Sequence, residues 1–414
     1  MARTGNPDRR LAPRPLPAHL ASAMLLWLSS RAALPALRHV SLPSSRRGSR
    51  LGKRFAALSR KIDELGLLPV ARALDRAIAA DAEAYLDGLE AYRRHPYRRA
   101  RTAAVVRWRA GTTRLLDYGA AGAAIPVLVV PSLINRFHVL DLLPQRSFLR
   151  HLAAAGLRPL VVDWGAPGEA ERGFGLDDYI AGRLDAAFEA AAAIAGEPLA
   201  VLGYCMGGLL ALALALRRQT RIAGLVLLAT PWDFHAERAE QARLLGALAD
   251  RLSVCCGAAD AWPIELIQML FFILDPFLAQ RKFRRFAQFD PAADEARSFV
   301  ALEDWINDGV PLAAALAREC ARSWYGDNEP GRGVWRVAGD LVRPAAFARP
   351  SLVVLPARDR IVPPGSAAAL AAELDGATLL RPPLGHVGMM AAARAPELLW
   401  RPVAQWLAGL SRAA

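Results

Sequence analysis

The sequence predicts an α/β protein: a mostly parallel, doubly wound sheet interrupted by a helical insertion. Three observations predict it. Short apolar runs alternate with helical runs from residue 126 to 228, and again from 351 to 410. Between Pro231 and Ser351 that alternation stops, and apolar helical stretches replace it. An apolar run at 198–202 leads through Gly203-Tyr204-Cys205-Met206-Gly207-Gly208 into a helical run at 209–218.

The elements follow in order. Residues 1–50, rich in Arg, Pro and Ser, read as a basic flexible arm with one apolar helical patch at 20–29. That patch fits a helix lying on an apolar surface better than a secretion signal, because Arg31 follows at once. Residues 51–100 read as an N-terminal helical segment, with Leu65, Leu68, Val70, Leu74 and Ile78 at helical spacing. Runs 103–108 and 113–118 suggest a hairpin, the first strand starting at Ala103. Run 126–130 is a fully apolar, buried strand. A helix near 145–155, a strand at 158–163, a helix at 176–195, the strand at 199–202 and another at 222–228 come next. After the insertion, a strand at 351–355, a helix at 365–374, a strand at 377–380 and a last helix to 410 complete the pattern.

The chain has 414 residues and 54% hydrophobic content, enough for a large core. Its net charge of +13 is uneven: residues 1–60 hold twelve Arg or Lys and one acid, Asp8. The basicity thus belongs to the N-terminal part, and no stacking-aromatic platform accompanies it, so nucleic acid is not the expected partner. The four Cys (205, 255, 256 and 320) form no C-x-x-C pair and no zinc spacing, which points to a reducing, cytoplasmic compartment without a metal site. No apolar run is long enough to span a bilayer.

Strand, G-x-X-x-G turn and helix together make the nucleophile elbow of α/β-hydrolases. The central side chain is presented to the cleft, and the glycines leave room where a Cβ would clash. Here that residue is Cys205, which points to acyl transfer through a thioester to the protein. Unpaired N–H groups at the following helix start favour an anion there. The fold class is therefore an α/β-hydrolase fold with a helical cap, with core segments 101–231 and 346–414 and cap 232–345.

A nucleophilic Cys needs a base, and the base an orienting acid, in chain order nucleophile, acid, base. The strand at 351–355 runs into a loop holding Asp359, and the strand at 377–380 into Gly385-His386-Val387-Gly388. Both loops fall at the carboxyl edge of the sheet, where open α/β sheets assemble their sites. Of seven His, only His386 follows a late strand. The backbone N–H of Met206 is the expected first oxyanion donor, and Leu133 or Ile134, after the strand at 126–130, the second. Aromatic residues of the insertion (Trp262, Phe271, Phe272, Phe277, Trp305, Trp324 and Tyr325) could keep water from the cleft, or simply pack its helices.

Four segments, 130–142, 203–208, 359–363 and 385–386, resemble poly(3-hydroxyalkanoate) synthases, as do Asp163-Trp164-Gly165 and 230–234. The resemblance covers most of residues 100–400. It implies polymerisation of 3-hydroxyacyl-CoA thioesters into polyester on a Cys205-bound acyl chain, with His386 and Asp359 as partners and no cofactor beyond the substrate's CoA. It also implies cytoplasmic polyester granules, a homo-oligomer and, given the chain's size, a second synthase subunit. The cationic run Arg281-Lys282-Phe283-Arg284-Arg285 could then meet CoA phosphates, or form a solvated helix face. One departure is Arg360, where many members carry His after the acid. A Cys-dependent hydrolase, either an intracellular depolymerase or an acyl-CoA thioesterase, is the alternative reading, and a non-catalytic granule-binding protein a further one.

Overall fold

The computed structural model describes residues 10, 13–38, 49–100, 104–119, 125–196, 198–255 and 260–410. Much of the expected arm (1–9, 11–12 and 39–48), Ala103 and Cys256 lie outside the described residues. The chain divides into two units: residues 1–97 with 271–303, and residues 98–270 with 304–414.

The first unit is helical, built on Leu16–Ala33, Arg50–Leu65, Leu67–Arg94 and Leu278–Phe286. Its core joins Tyr85, Leu89 and Tyr92 to Phe283, Phe286 and Val300. Gly88 lets two helices close together, because a Cβ there would overlap the Phe283 carbonyl. Residues 271–303 were expected inside the cap, but their apolar faces pack with the N-terminal helices instead. The cationic run is also accounted for here. Arg281 pairs with Asp275 at 2.5 Å, Lys282 with Glu303 at 2.6 Å and Arg285 with Glu295 at 3.1 Å, and Arg284 pairs with Asp81. These acids already neutralise the charges that were candidates for CoA phosphates.

The second unit carries an eight-stranded sheet. Its strands are β1 (Val105–Ala110), β2 (Thr113–Asp117), β3 (Ile125–Val130), β4 (Leu157–Asp163), β5 (Leu199–Tyr204), β6 (Ile222–Leu228), β7 (Ser351–Val354) and β8 (Thr378–Leu380). The order across the sheet is β1-β2-β4-β3-β5-β6-β7-β8. β1/β2 and β2/β4 are antiparallel, and every other pair is parallel. β3 and β5 are buried along their whole length, as their unbroken apolar runs require for strands covered on both faces. The helix Met206–Arg217 is buried from Met206 to Ala215, so its Leu/Ala sequence is apolar all round. The expected helix at 176–195 forms as one run whose first part, Asp178–Leu184, is a widened π-helix. Among the described residues between β6 and β7, none joins this sheet. Among the described residues no helix is long and apolar enough to cross a membrane.

The chain leaves β3 for β4 on one side and then crosses back to β5 on the other. The order reverses at β3, so the carboxyl ends of β3 and β5 mark the switch point at which open α/β sheets place their sites. Val130 is in register with Gly203, so the loop after β3 emerges beside the turn after β5.

Candidate active site

Cys205 directly follows β5 and caps the helix Met206–Arg217 with φ 57° and ψ −129°. A non-glycine residue holds that backbone only where its surroundings over-determine it. Here the Cys205 N–H donates to the Leu228 carbonyl at 2.9 Å, and the Gly208 N–H donates to the Cys205 carbonyl at 2.9 Å. A Cβ on Gly203 would stand 2.5 Å from the Gly208 Cα, and one on Gly207 would overlap the Val130 carbonyl oxygen. Strand and helix therefore meet at the closest approach the chain allows, and the Cys205 side chain is left half-buried at the turn.

Asp359 lies in the loop after β7 and His386 in the loop after β8. Their relative solvent exposure is 7% and 6%. The His386 ring nitrogen Nδ1 donates to Asp359 Oδ2 at 2.7 Å. Asp359 Oδ1 accepts the backbone N–H groups of Ile361 and Val362 at 2.8 and 2.9 Å. Both carboxylate oxygens are thus occupied, and the carboxylate cannot swing away from the ring. With Nδ1 committed, Nε2 is the nitrogen left free to face Cys205. Burial works against a charged His386, but the electrostatic influence of Cys205 and the bond to Asp359 outweigh it, raising its pKa to about 10. Asp359 and His386, far apart in sequence, are thus hydrogen-bonded to each other, and Cys205 acts electrostatically on the His386 ring.

Two neighbours were not expected from the sequence. The Tyr204 hydroxyl donates to the His386 carbonyl at 3.3 Å, with the two rings 5.3 Å apart. Burial, then the charges of Cys205 and Asp359, keep that phenol protonated well above its usual range. Asn328 (φ 51°) accepts the Phe234 N–H on Oδ1 at 2.9 Å and donates from Nδ2 to Asp233 Oδ1 at 2.8 Å. This clasp joins the start of the segment after β6 to the turn after the π-helix Cys320–Gly326. It holds Phe234 stacked on Trp324 (5.9 Å, 21°) and edge-on to Tyr325 (5.0 Å).

Met206 stands at the first position of its helix, where a backbone N–H has no intrahelical acceptor. Pro131 begins the loop after β3, its carbonyl fixed by the Trp164 indole N–H at 3.0 Å. One expectation is corrected here. The Ile134 N–H is taken by Ser132 Oγ at 3.2 Å, so Leu133 is the donor candidate retained. Of the aromatic candidates, Trp324 is fully buried and Tyr325 is 39% exposed. Trp305 donates to the Arg136 carbonyl at 2.7 Å, and Trp262 is a core residue. Phe271, Phe272 and Phe277 belong to the helical unit.

The sheet order and the strained turn define an α/β-hydrolase-fold protein with a cysteine at the elbow. A family model for the alpha/beta hydrolase fold matches residues 125–250. The poly(3-hydroxyalkanoate) polymerase subunit PhaC of Allochromatium vinosum is 28% identical over 290 residues, 68% of this chain and 80% of that protein. The subunit of the same name from Synechocystis sp. is 29% identical over 68% of this chain and 77% of its own length. That of Cupriavidus necator is 40% identical over 116 residues, 27% of this chain and 20% of that protein. Among solved structures, a putative non-heme bromoperoxidase BpoC from Mycobacterium tuberculosis is similar with a TM-score of 0.49 and 17% identity, over 76% of this chain and 99% of that one. The chain is thus similar to poly(3-hydroxyalkanoate) polymerase subunits over about two thirds of its length, and it carries the alpha/beta hydrolase fold.

Proposed function

We propose that this protein polymerises 3-hydroxyacyl-CoA thioesters into polyhydroxyalkanoate, carrying the growing acyl chain on Cys205. The observation that carries the reading is the bonded Asp359–His386 pair together with Cys205 on a strained elbow, in a chain similar to polymerase subunits of that name.

The steps follow from the geometry. Cys205 Sγ attacks the thioester carbonyl, and its proton resides on His386, held by Asp359. The tetrahedral oxyanion is met by the N–H of Met206 and that of Leu133. Collapse expels CoA as a thiolate, which takes the proton from His386, and leaves an acyl-Cys205 thioester. One thioester is exchanged for another, so this step is close to thermoneutral. The hydroxyl of a second monomer then gives its proton to His386, and its oxygen attacks the acyl-Cys205 carbonyl. An ester forms, and Cys205 leaves as a thiolate and takes the proton from His386. The lengthened chain is then a CoA thioester; attack on it by Cys205, as in the first step, returns the chain to Cys205 and releases that CoA. Water would give free acid instead, and the Phe234–Trp324–Tyr325 wall is the proposed barrier to it.

By the same resemblance, we propose the polyester granule surface in the cytoplasm as the place of work, with a homo-oligomer and a second synthase subunit as partners. The test is CoA release from 3-hydroxybutyryl-CoA and from a longer 3-hydroxyacyl-CoA by the wild type and Cys205→Ala, with product analysis. Cys205-dependent release with polymer supports the reading. Cys205-dependent release with free hydroxy acid alone overturns it in favour of a thioesterase.

A further inference from the structure

The loops that carry Asp359 and His386 also carry three arginines whose charge nothing answers. Leu355, Ala357 and Arg358 donate their backbone N–H groups to the carbonyls of Leu380, Pro382 and Leu384 at 2.8, 2.9 and 2.9 Å. The two loops therefore run side by side beyond the carboxyl ends of β7 and β8. Arg358 and Arg360 flank Asp359, and Arg381 follows directly on β8. Asp359 is buried, whereas all three arginines are exposed. Among the described residues, none of the three guanidinium groups has an ion pair or a hydrogen bond.

Three other arginines of this unit are tied to acids: Arg158 to Asp117 at 2.8 Å, Arg150 to Asp141 at 3.0 Å and Arg183 to Glu171 at 3.0 Å. The acids nearest the rim in sequence are spoken for or turned elsewhere. Asp359 holds His386, Glu373 accepts the Trp232 indole N–H at 2.7 Å, and Asp375 lies in the turn entering β8, at the opposite sheet edge.

We propose that Arg358, Arg360 and Arg381 form a phosphate-binding rim for the 3′-phospho-ADP end of CoA, while the thioester reaches Cys205. The assignment rests on the reading of the site as acting on acyl-CoA. It follows from the shape of that substrate, whose reacting bond and phosphates are separated by a long uncharged pantetheine arm. Its anionic end must be met outside the pocket, on the same sheet edge, and guanidinium groups match phosphate oxygens in charge and geometry.

The test is direct binding, by calorimetry, of CoA and of pantetheine, which lacks the phosphates, to the full-length wild type and to R358Q/R360Q/R381Q. No turnover is needed. The wild type should bind CoA about tenfold or more tightly than pantetheine, in a salt-sensitive way, and the triple variant should lose that preference. Equal thermal unfolding midpoints would exclude misfolding as the cause. In turnover, the preference for acyl-CoA over the acyl-pantetheine thioester, as a ratio of kcat/KM, should collapse in parallel. CoA affinity unchanged in the triple variant, or a wild type that binds pantetheine as tightly as CoA, would overturn the proposal. Absence of CoA release would overturn the polymerase reading instead, and the binding measurement would stand apart from it.

Discussion

The nucleophile and its base are held in opposite ways. Cys205 is fixed by backbone contact: the left-handed turn, the Leu228 carbonyl and two positions where no Cβ fits. His386 is fixed by side-chain hydrogen bonds, through Asp359, on two loops that pair with each other. Steric fixing places an atom without involving charge. Hydrogen-bond fixing also sets a proton affinity. The elbow is thus intolerant of volume, and the acid–base loops are sensitive to ionisation.

The sharpest way to break the comparison is to add volume on one side and remove charge on the other. Gly207→Ala should abolish CoA release and destabilise the fold by about 3 kcal/mol or more, since its Cβ overlaps the Val130 carbonyl oxygen in a packed sheet. Chemical denaturation alongside the activity assay checks both. Asp359→Asn keeps the volume. It should lower kcat by about 10³–10⁴ with little change in KM, because the amide disfavours the Nδ1–H tautomer that leaves Nε2 for Cys205.

A third experiment tests the ionisation directly. His386 titrates at about 10 when folded, above the ordinary 6.5. The stability this contributes is fully present below about pH 6.5 and is lost as pH rises toward 10. Urea unfolding across that range should show the fall. Cys205→Ala removes the electrostatic partner that does most to raise the His386 pKa and should shorten the window from its alkaline end. An unchanged window would break the contrast between the two sides. Smaller effects should come from the supports. Asn328→Ala should cost about 1–3 kcal/mol and a several-fold loss of kcat, because it leaves the Phe234 N–H and Asp233 without their partner. Tyr204→Phe removes only one long bond to a carbonyl and should cost about 1 kcal/mol or less by thermal unfolding.

Much of the framework was legible because it is local. Apolar runs mark β3, β5 and β6, the GYCMGG box marks the elbow, and Asp359 and His386 follow late strands in the required order. What was not legible depends on distant pairing. Asn328 meets Asp233 across 95 positions, and Arg284 meets Asp81 across 203, with no spacing to announce either. The stretch 271–303 has the same apolar helical look as its neighbours, and only the complementary faces of the N-terminal helices set it apart. The loss of Ile134 as a donor candidate is a local matter: a Ser two residues earlier is a natural acceptor for that N–H.

The closed positions at Gly203 and Gly207 bear on how such a site can change through evolution. Mutational drift is blocked at both, so variation in chemistry is funnelled into the one side chain the turn presents. At position 205 a sulfur and an oxygen occupy nearly the same space. A single-atom exchange could therefore turn a thiol-carrying elbow into a hydroxyl-carrying one while leaving the scaffold untouched.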